Sequence, residues 1–439
     1  MSHMIYPNTN LAATEELVLE RGEGVYVYDQ QGKQYLEGVA GLWCTGLGYG
    51  NKELIDCISE QLSRLSYTHI FSGKTHQSAI DLADRLASMV PVRDARVFFG
   101  NSGSDANDTH IKLLRYYFNV TGRPEKRKII TRERAYHGVT VASGALTSLP
   151  GNLAHFSPPF EALGVLRTDA PHYYRGAKAG EDEAAFVARL AHNLERLIIE
   201  EGPDTIAAFL AEPIAGASGV IVPPDGYYEA VQAVLRKYDI LFWADEVITG
   251  FGRTGNLLGC ETVNIREPDQ MTFAKQLSSA YFPISAALIR GDFYDAMVEP
   301  SSEVGIFGHG YTYSGHPVGC AAALKTLEIY EREKLYQNAA DVGQHLQLRL
   351  AALASHERVG EVRGAGLIAA VELVTDRDSH EPDNAFAAAA TRRCQDNGLI
   401  VRNAGGNSLA VCPPLIITRA QIDELVDKLS RSIEEANAV

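Results

Sequence analysis

Lys275 sits among small and apolar residues in Met271-Thr272-Phe273-Ala274-Lys275-Gln276-Leu277-Ser278-Ser279-Ala280-Tyr281, a stretch without a carboxylate to neutralise it. Burial of such an amine lowers its pKa and makes it a nucleophile that can condense with a carbonyl. Asp245 and Glu246 close the apolar run Leu241-Phe242-Trp243-Ala244, so Asp245 stands where the carboxyl end of a buried strand meets a binding crevice. A buried carboxylate needs a cation or strong donors. A protonated pyridine nitrogen, a metal ion or a helix cap would each serve. Phe98-Phe99-Gly100-Asn101-Ser102-Gly103-Ser104 is a small, glycine-rich turn between a strand and a helical pattern beginning near Asp105. Backbone N–H groups and hydroxyls at a helix N-terminus bind phosphate. The same residues also suit an ordinary strand-to-helix loop with Ser102 or Ser104 as N-cap. Read together, a phosphate cradle, a partner for a ring nitrogen and an imine-forming lysine are the parts a pyridoxal phosphate enzyme needs.

The elements that must position these groups alternate along the middle of the chain. Strands are predicted at Arg96 to Phe99, Lys128 to Thr131, Ile206 to Ala211, Leu241 to Ala244 and Ile284 to Ile289, with helices at Phe186 to Glu200 and Tyr227 to Tyr238. Such alternation predicts βαβ units and a mainly parallel sheet. An alanine-rich helix over Val318 to Glu331 leads into a second helix ending near Leu350. Beyond it, Val362 to Glu372 and Leu409 to Pro414 each read as one strand. Near the start, Gly24 to Asp29 and Gly32 to Glu37 read as a hairpin that packs with the C-terminal segment.

Composition bounds the partners. Lys+Arg 40 against Asp+Glu 55 gives a net charge of -15, a field that repels nucleic acid and anionic membranes. The 439 residues, 46% hydrophobic and 22% charged, suit a soluble enzyme of two or three domains. Six cysteines without CxxC spacing predict a reducing, cytoplasmic setting. No basic segment followed by an apolar stretch opens the chain, and no apolar run reaches about 18 residues, so neither an export signal nor a membrane span is expected.

In order, Ser102 to Asn107, Tyr136-His137-Gly138, Glu212-Pro213, Asp245-Glu246-Val247, Gly250-Phe251-Gly252-Arg253-Thr254-Gly255, Lys275 and His309 to Pro317 resemble the motifs of class III aminotransferases. The resemblance covers nearly the whole chain. It is closest to the amine:pyruvate ω-transaminases, through Ala40-Gly41-Leu42-Trp43-Cys44 and Pro124 to Ile130. Lys275-Gln276-Leu277 departs from the Lys-Gly or Lys-Ala of the wider class and is taken as a subgroup mark.

The resemblance implies an α/β, fold-type I pyridoxal phosphate enzyme. Its large domain would span residues 60–324, and a smaller α+β domain would combine 1–59 with 325–439. Lys275 would anchor pyridoxal 5'-phosphate through a Schiff base and then act as the catalytic base, while Asp245 keeps the ring nitrogen protonated. Tyr136 would stack on one ring face and Val247 pack on the other. Ser102, Gly103, Ser104 and Thr312 of a second subunit would hold the phosphate, with His137 and Glu212 completing the cofactor site. Leu42, Trp43 and Phe71 would line the substrate pocket. Arg402 would pair with a substrate carboxylate and withdraw for an uncharged amine. No metal is implied, and the assembly would be a homodimer with shared active sites, or a tetramer. The implied reaction moves an amino group from a primary amine or ω-amino acid to pyruvate in a ping-pong cycle. A 2,1-aminomutase or a decarboxylase would share the cofactor residues, and a non-catalytic cofactor-binding protein could share the fold.

Overall fold

Runs of consecutive apolar residues become strands buried on both faces. Every residue of Ile206–Ala211 and Leu241–Asp245 is buried, as happens when helices cover both sides of a parallel sheet. In a computed structural model, which describes residues 3–12 and 16–437, these strands lie inside a seven-stranded sheet. Its order is Arg96–Gly100, Ser285–Ile289, Gln270–Phe273, Leu241–Asp245, Ile206–Ala211, Lys128–Arg132 and Val165–Thr168. Only Ser285–Ile289 runs against its neighbours. The mainly parallel α/β sheet is the one the sequence predicts.

Two of these strands escape the sequence pattern. Val165–Thr168 is an edge strand with every residue only half-buried, so it lacks a long apolar run. Gln270–Phe273 is fully buried but carries Gln270 and Thr272 at two of its four positions. The Thr272 hydroxyl takes part in the hydrogen bonding of the site described below, which explains a polar residue in a central strand.

The C-terminal segment corrects one expectation. Val362 to Glu372 is not a single strand: Val359–Ala365 turns back at Gly366 and pairs antiparallel with Ile368–Asp376, with Ala365 opposite Ile368. Gly366 has φ +54 and approaches the Thr254 backbone so closely that a side chain would collide with it. Val359–Ala365 is mostly half-buried and Ile368–Asp376 mostly buried, but Gly364 to Ile368 are all small or apolar, so no polar break marks the turn. Ser408–Val411 and Arg402–Ala404 extend this sheet. The predicted hairpin is present as Tyr26–Asp29 and Gln34–Glu37, flanked by Leu19–Glu23. Leu399–Ile400 pairs parallel with Gln34–Glu37, tying the two ends of the chain together. All six cysteines are free, and no helix among the described residues is long and apolar enough to cross a membrane.

Candidate active site

The carboxyl ends of the parallel strands open onto one crevice, where ligands bind in α/β sheets. A cavity of about 340 Å³ lies there. Asn101 to Ser104 and Asn107 border it from the turn after Arg96–Gly100, and Tyr136 to Gly138 from the loop after Lys128–Arg132. Glu212, Asp245, Val247 and Lys275 follow their own strands into the same space, joined by Leu42, Cys44 and Phe282. Residues as far apart in the chain as Leu42 and Phe282 thus share one wall system.

Asp245 is the last residue of its strand and is 4% exposed. Its Oδ2 accepts from His137 Nδ1 at 2.7 Å and from Asn107 Nδ2 at 3.2 Å, and its Oδ1 accepts from the Val247 N–H at 3.1 Å. Burial works against its charge, but His137 and these donors hold the carboxyl below the usual range. The support runs deeper: Trp243 Nε1 donates to Thr272 Oγ1, which donates to Asn107 Oδ1, each at 2.8 Å. Asn107 is thereby fixed with its amide N–H groups toward Asp245 and the His137 carbonyl.

Glu212 lies on the far side of His137, its Oε2 3.8 Å from Nε2. Burial raises its pKa, partly opposed by His137 and Arg132. Arg132, wholly buried, donates to the Glu212 carbonyl at 2.7 Å, and the Tyr136 N–H donates to Oε1 at 3.3 Å. Glu212 therefore holds the Tyr136–His137 backbone in place as well as bordering the cavity.

Lys275 follows Gln270–Phe273 and adopts φ +43, a left-handed conformation that costs a non-glycine residue roughly 1–2 kcal/mol. The following turn is pinned from several sides. Gln276 donates to the Gly250 carbonyl at 2.8 Å and accepts from buried Arg253 at 3.0 Å. The Leu47 N–H donates to Ser279 Oγ at 2.9 Å. The Lys275 ammonium has no hydrogen-bond or ion-pair partner among the described residues. Burial lowers its pKa from the ordinary value, with Asp245, Cys44 and Glu212 pulling the other way. Lys275 thus borders the cavity as a nitrogen of lowered basicity, within the field of Asp245.

Ser102 caps the Gly103–Val120 helix in a capping box with Asp105. The helix starts two residues before the expected Asp105. Asp105 receives the N–H groups of Asn101 and Ser102, leaving those of Gly103 and Ser104 without intrahelical acceptors at the positive end of the helix. A Cβ on Gly103 would stand 3.1 Å from Val247 Cγ2, so the cradle is drawn close against that side chain.

A family model for class III aminotransferases matches residues 9–433. The chain belongs to the class III aminotransferases. It is 45% identical over 425 residues to gamma aminobutyrate transaminase 3, chloroplastic, of Solanum lycopersicum, covering 96% of this chain and 81% of that protein. Gamma-aminobutyrate transaminase 1, mitochondrial, of Oryza sativa subsp. japonica is 47% identical over 414 residues, 93% of this chain and 80% of its own length. Among solved structures, the omega transaminase from Pseudomonas jessenii in complex with PMP matches with a TM-score of 0.97 at 47% identity, covering 99% of this chain and 97% of that one. As an aminotransferase of this class the chain is an enzyme that uses pyridoxal phosphate.

The donor set of the aminotransferase fits that group. Asp245 Oδ2 already takes two donors, but Oδ1 takes only one, which leaves room for the N–H of a protonated pyridine ring. The uncommitted amine of Lys275 and the free N–H groups of Gly103 and Ser104 match an aldehyde and a phosphate.

Of the other residues expected from sequence, Leu42 borders the cavity and four stand apart from it in the single chain. Trp43 is 3% exposed and packs with Val39, Ile214 and Ile248 in the core. Arg402 stacks over its ring, the guanidinium carbon 5.0 Å from the centroid. Phe71 is exposed and abuts Gly310, and Thr312 is exposed with its carbonyl bonded by Tyr67. Sequence reasoning passed over Asn107 and Cys44. Asn107 carried a signal, since it sits three residues after Ser104 on one helix face; Cys44 carried none.

Proposed function

We propose that this aminotransferase is an ω-transaminase that takes an amino group from a primary amine or ω-amino acid and passes it to pyruvate. The reading rests above all on the unpartnered amine of Lys275 beside the anionic Asp245. When bound, pyridoxal phosphate holds the amino group between the two half-reactions and withdraws electrons from the substrate carbon. Lys275 is the group that condenses with the cofactor aldehyde, and its Nζ then takes the proton from the carbon bearing the amino group. Asp245 keeps the ring nitrogen protonated, and the His137–Asn107 frame keeps Asp245 charged. Tyr136 and Val247, which both border the cavity, would hold the ring between them when it is bound. Ser102, Gly103 and Ser104 receive the phosphate.

On the substrate side, Arg402 has no carboxylate partner among the described residues, which suits recruitment by the carboxylate of an oxoacid. One solved relative, 46% identical over 99% of this chain, is a variant engineered for asymmetric synthesis of enantiopure bulky amines, with a Trp, a Phe and an Arg replaced. The spacing of those three positions equals that of Trp43, Phe71 and Arg402, which supports a substrate role for the three. The gamma-aminobutyrate transaminases among the relatives favour an ω-amino acid as one donor. Thr312 and Phe71, exposed on a common surface, fit donation to the site of a second subunit in a homodimer. The sheet assignments support the division into residues 60–324 and a domain from both termini, and the six free thiols support a cytoplasmic setting.

Borohydride reduction and peptide mass spectrometry should fix the pyridoxyl group on Lys275, and Lys275→Ala should abolish turnover. Turnover retained by that variant would reject the assignment. A panel of γ-aminobutyrate and arylalkyl amines against pyruvate and 2-oxoglutarate fixes the substrates. Product formed without an acceptor would indicate an aminomutase, and carbon dioxide release a decarboxylase.

A further inference from the structure

Arg402 opens the Arg402–Ala404 strand and is half-buried, yet its guanidinium makes no hydrogen bond or ion pair among the described residues. A guanidinium withdrawn from water without an anion is costly. Its guanidinium carbon lies 5.0 Å from the centroid of the Trp43 indole, with Tyr136 also within electrostatic reach, and the face of tryptophan is the strongest aromatic seat for a cation. Neither residue borders the cavity, although Leu42 and Cys44 on either side of Trp43 do.

Trp43 is held stiffly for this task. It ends a kinked turn, Ala40–Trp43, in which Gly41 has φ +66 and Trp43 itself φ +59. The ring lies in one buried apolar cluster with Val39, Ile214, Ile248 and Ala404, and its Nε1 has no hydrogen-bond partner among the described residues. A buried indole N–H usually finds an acceptor; here the turn orients the ring without one.

We propose that the face of Trp43 is the resting seat of Arg402, so that Trp43 sets the balance between carboxylate-bearing and uncharged substrates. This rests on the reading of Arg402 as the carboxylate partner. A seat outside the cavity competes with the substrate carboxylate: the apparent affinity for an oxoacid falls with the fraction of Arg402 that is seated. An uncharged carbonyl of similar size does not use Arg402 and does not sense the seat.

The test compares KM for pyruvate with KM for propanal, using one amine donor and the holoenzyme, in Trp43→Leu and Trp43→Phe. Trp43→Leu should lower the pyruvate KM relative to that of propanal by about threefold to tenfold, the range of a half-buried cation–π contact. Trp43→Phe keeps a ring and the core filling, and should shift the ratio in the same direction by less. Both shifts should vanish in an Arg402→Leu background. A ratio unchanged in both variants, one moving toward propanal, or the same shift with Arg402 removed would overturn the seat. If Arg402→Leu alone left the ratio unaltered, the carboxylate role itself would be the part that fails.

Discussion

The Nδ1 nitrogen of His137 donates to Asp245 Oδ2 across 2.7 Å, while its Nε2 lies buried without a hydrogen-bond partner among the described residues. Asp245 only accepts, so the proton on Nδ1 is fixed by its partner. Removing this donor weakens the frame that holds Asp245 ionised. His137→Phe keeps the ring and deletes the bond; it should cut kcat/KM by about tenfold to 100-fold, the worth of a charge-assisted hydrogen bond. Asp245→Asn, which removes the anion, should cost more than His137→Phe, by 100-fold or so. Steady-state kinetics on both variants check the order, and a greater loss in His137→Phe would contradict it.

Gly138 has φ +132, and a Cβ built on it would lie 2.3 Å from Ser143 Oγ and 2.7 Å from Ser104 Oγ. Ser104 Oγ meanwhile accepts the Val139 N–H at 3.1 Å. An alanine here must push Ser104 out of the phosphate turn while paying about 1–3 kcal/mol of backbone strain. Gly138→Ala should therefore weaken cofactor binding by about tenfold and lower the melting temperature. Titration of the apoenzyme with pyridoxal phosphate checks this; unchanged affinity would mean that Ser104 does not touch the phosphate.

Much of this site was legible in the sequence because its chemistry follows strand ends. Asp245 closes an unbroken apolar run and Lys275 follows a buried strand, so residue type and position agree. The supports were not legible, because their partners are remote. Asn107 meets Asp245 across 138 positions, and Arg253 reaches the carbonyls of Leu367 and Pro413. The turn at Gly366 was hidden because Gly364 to Ile368 are all small or apolar, leaving no change in polarity at the reversal. The resemblance placed Trp43 at the pocket, and in the single chain a left-handed backbone turns its ring into the core.

Glu37 is buried beside the turn that carries Leu42 and Cys44, with the Val39 and Gly41 N–H groups and the Tyr49 hydroxyl as donors. Burial pushes its pKa up to about 7 from an ordinary 4.5, against these donors. The raised value means the folded state prefers the neutral acid. The contribution to stability is full below pH 4.5 and is lost as pH rises through 7, because the unfolded chain ionises first. Glu37→Gln supplies a neutral group of similar shape. The wild type should lose melting temperature relative to this variant between pH 5 and 8, as thermal denaturation at several pH values would show. Parallel curves would mean that Glu37 stays ionised when folded.

His309 ties the loop bearing Thr312 to the Gly103–Val120 helix. Lys112 donates to its Nδ1 at 2.8 Å, so its Nε2–H donates to Thr109 Oγ1 at 2.9 Å. Thr109 and Tyr311 then both donate to the Asp105 carbonyl, at 2.8 and 2.9 Å, and Phe98 stacks on the imidazole with centroids 4.9 Å apart. Burial, and then the Lys112 charge, push the His309 pKa down to about 4 from 6.5. The unfolded chain binds the proton first as pH falls, so the loop's grip is full above 6.5 and is lost as pH drops through 4. His309→Phe keeps the stack and removes both hydrogen bonds. With a net worth of about 1 kcal/mol for each bond, it should loosen the loop and weaken pyridoxal phosphate binding about tenfold at pH 7.5. The wild-type affinity should weaken below pH 6, and His309→Phe should lack that decline. Equal affinities in the two proteins at pH 7.5 would separate this loop from the cofactor site.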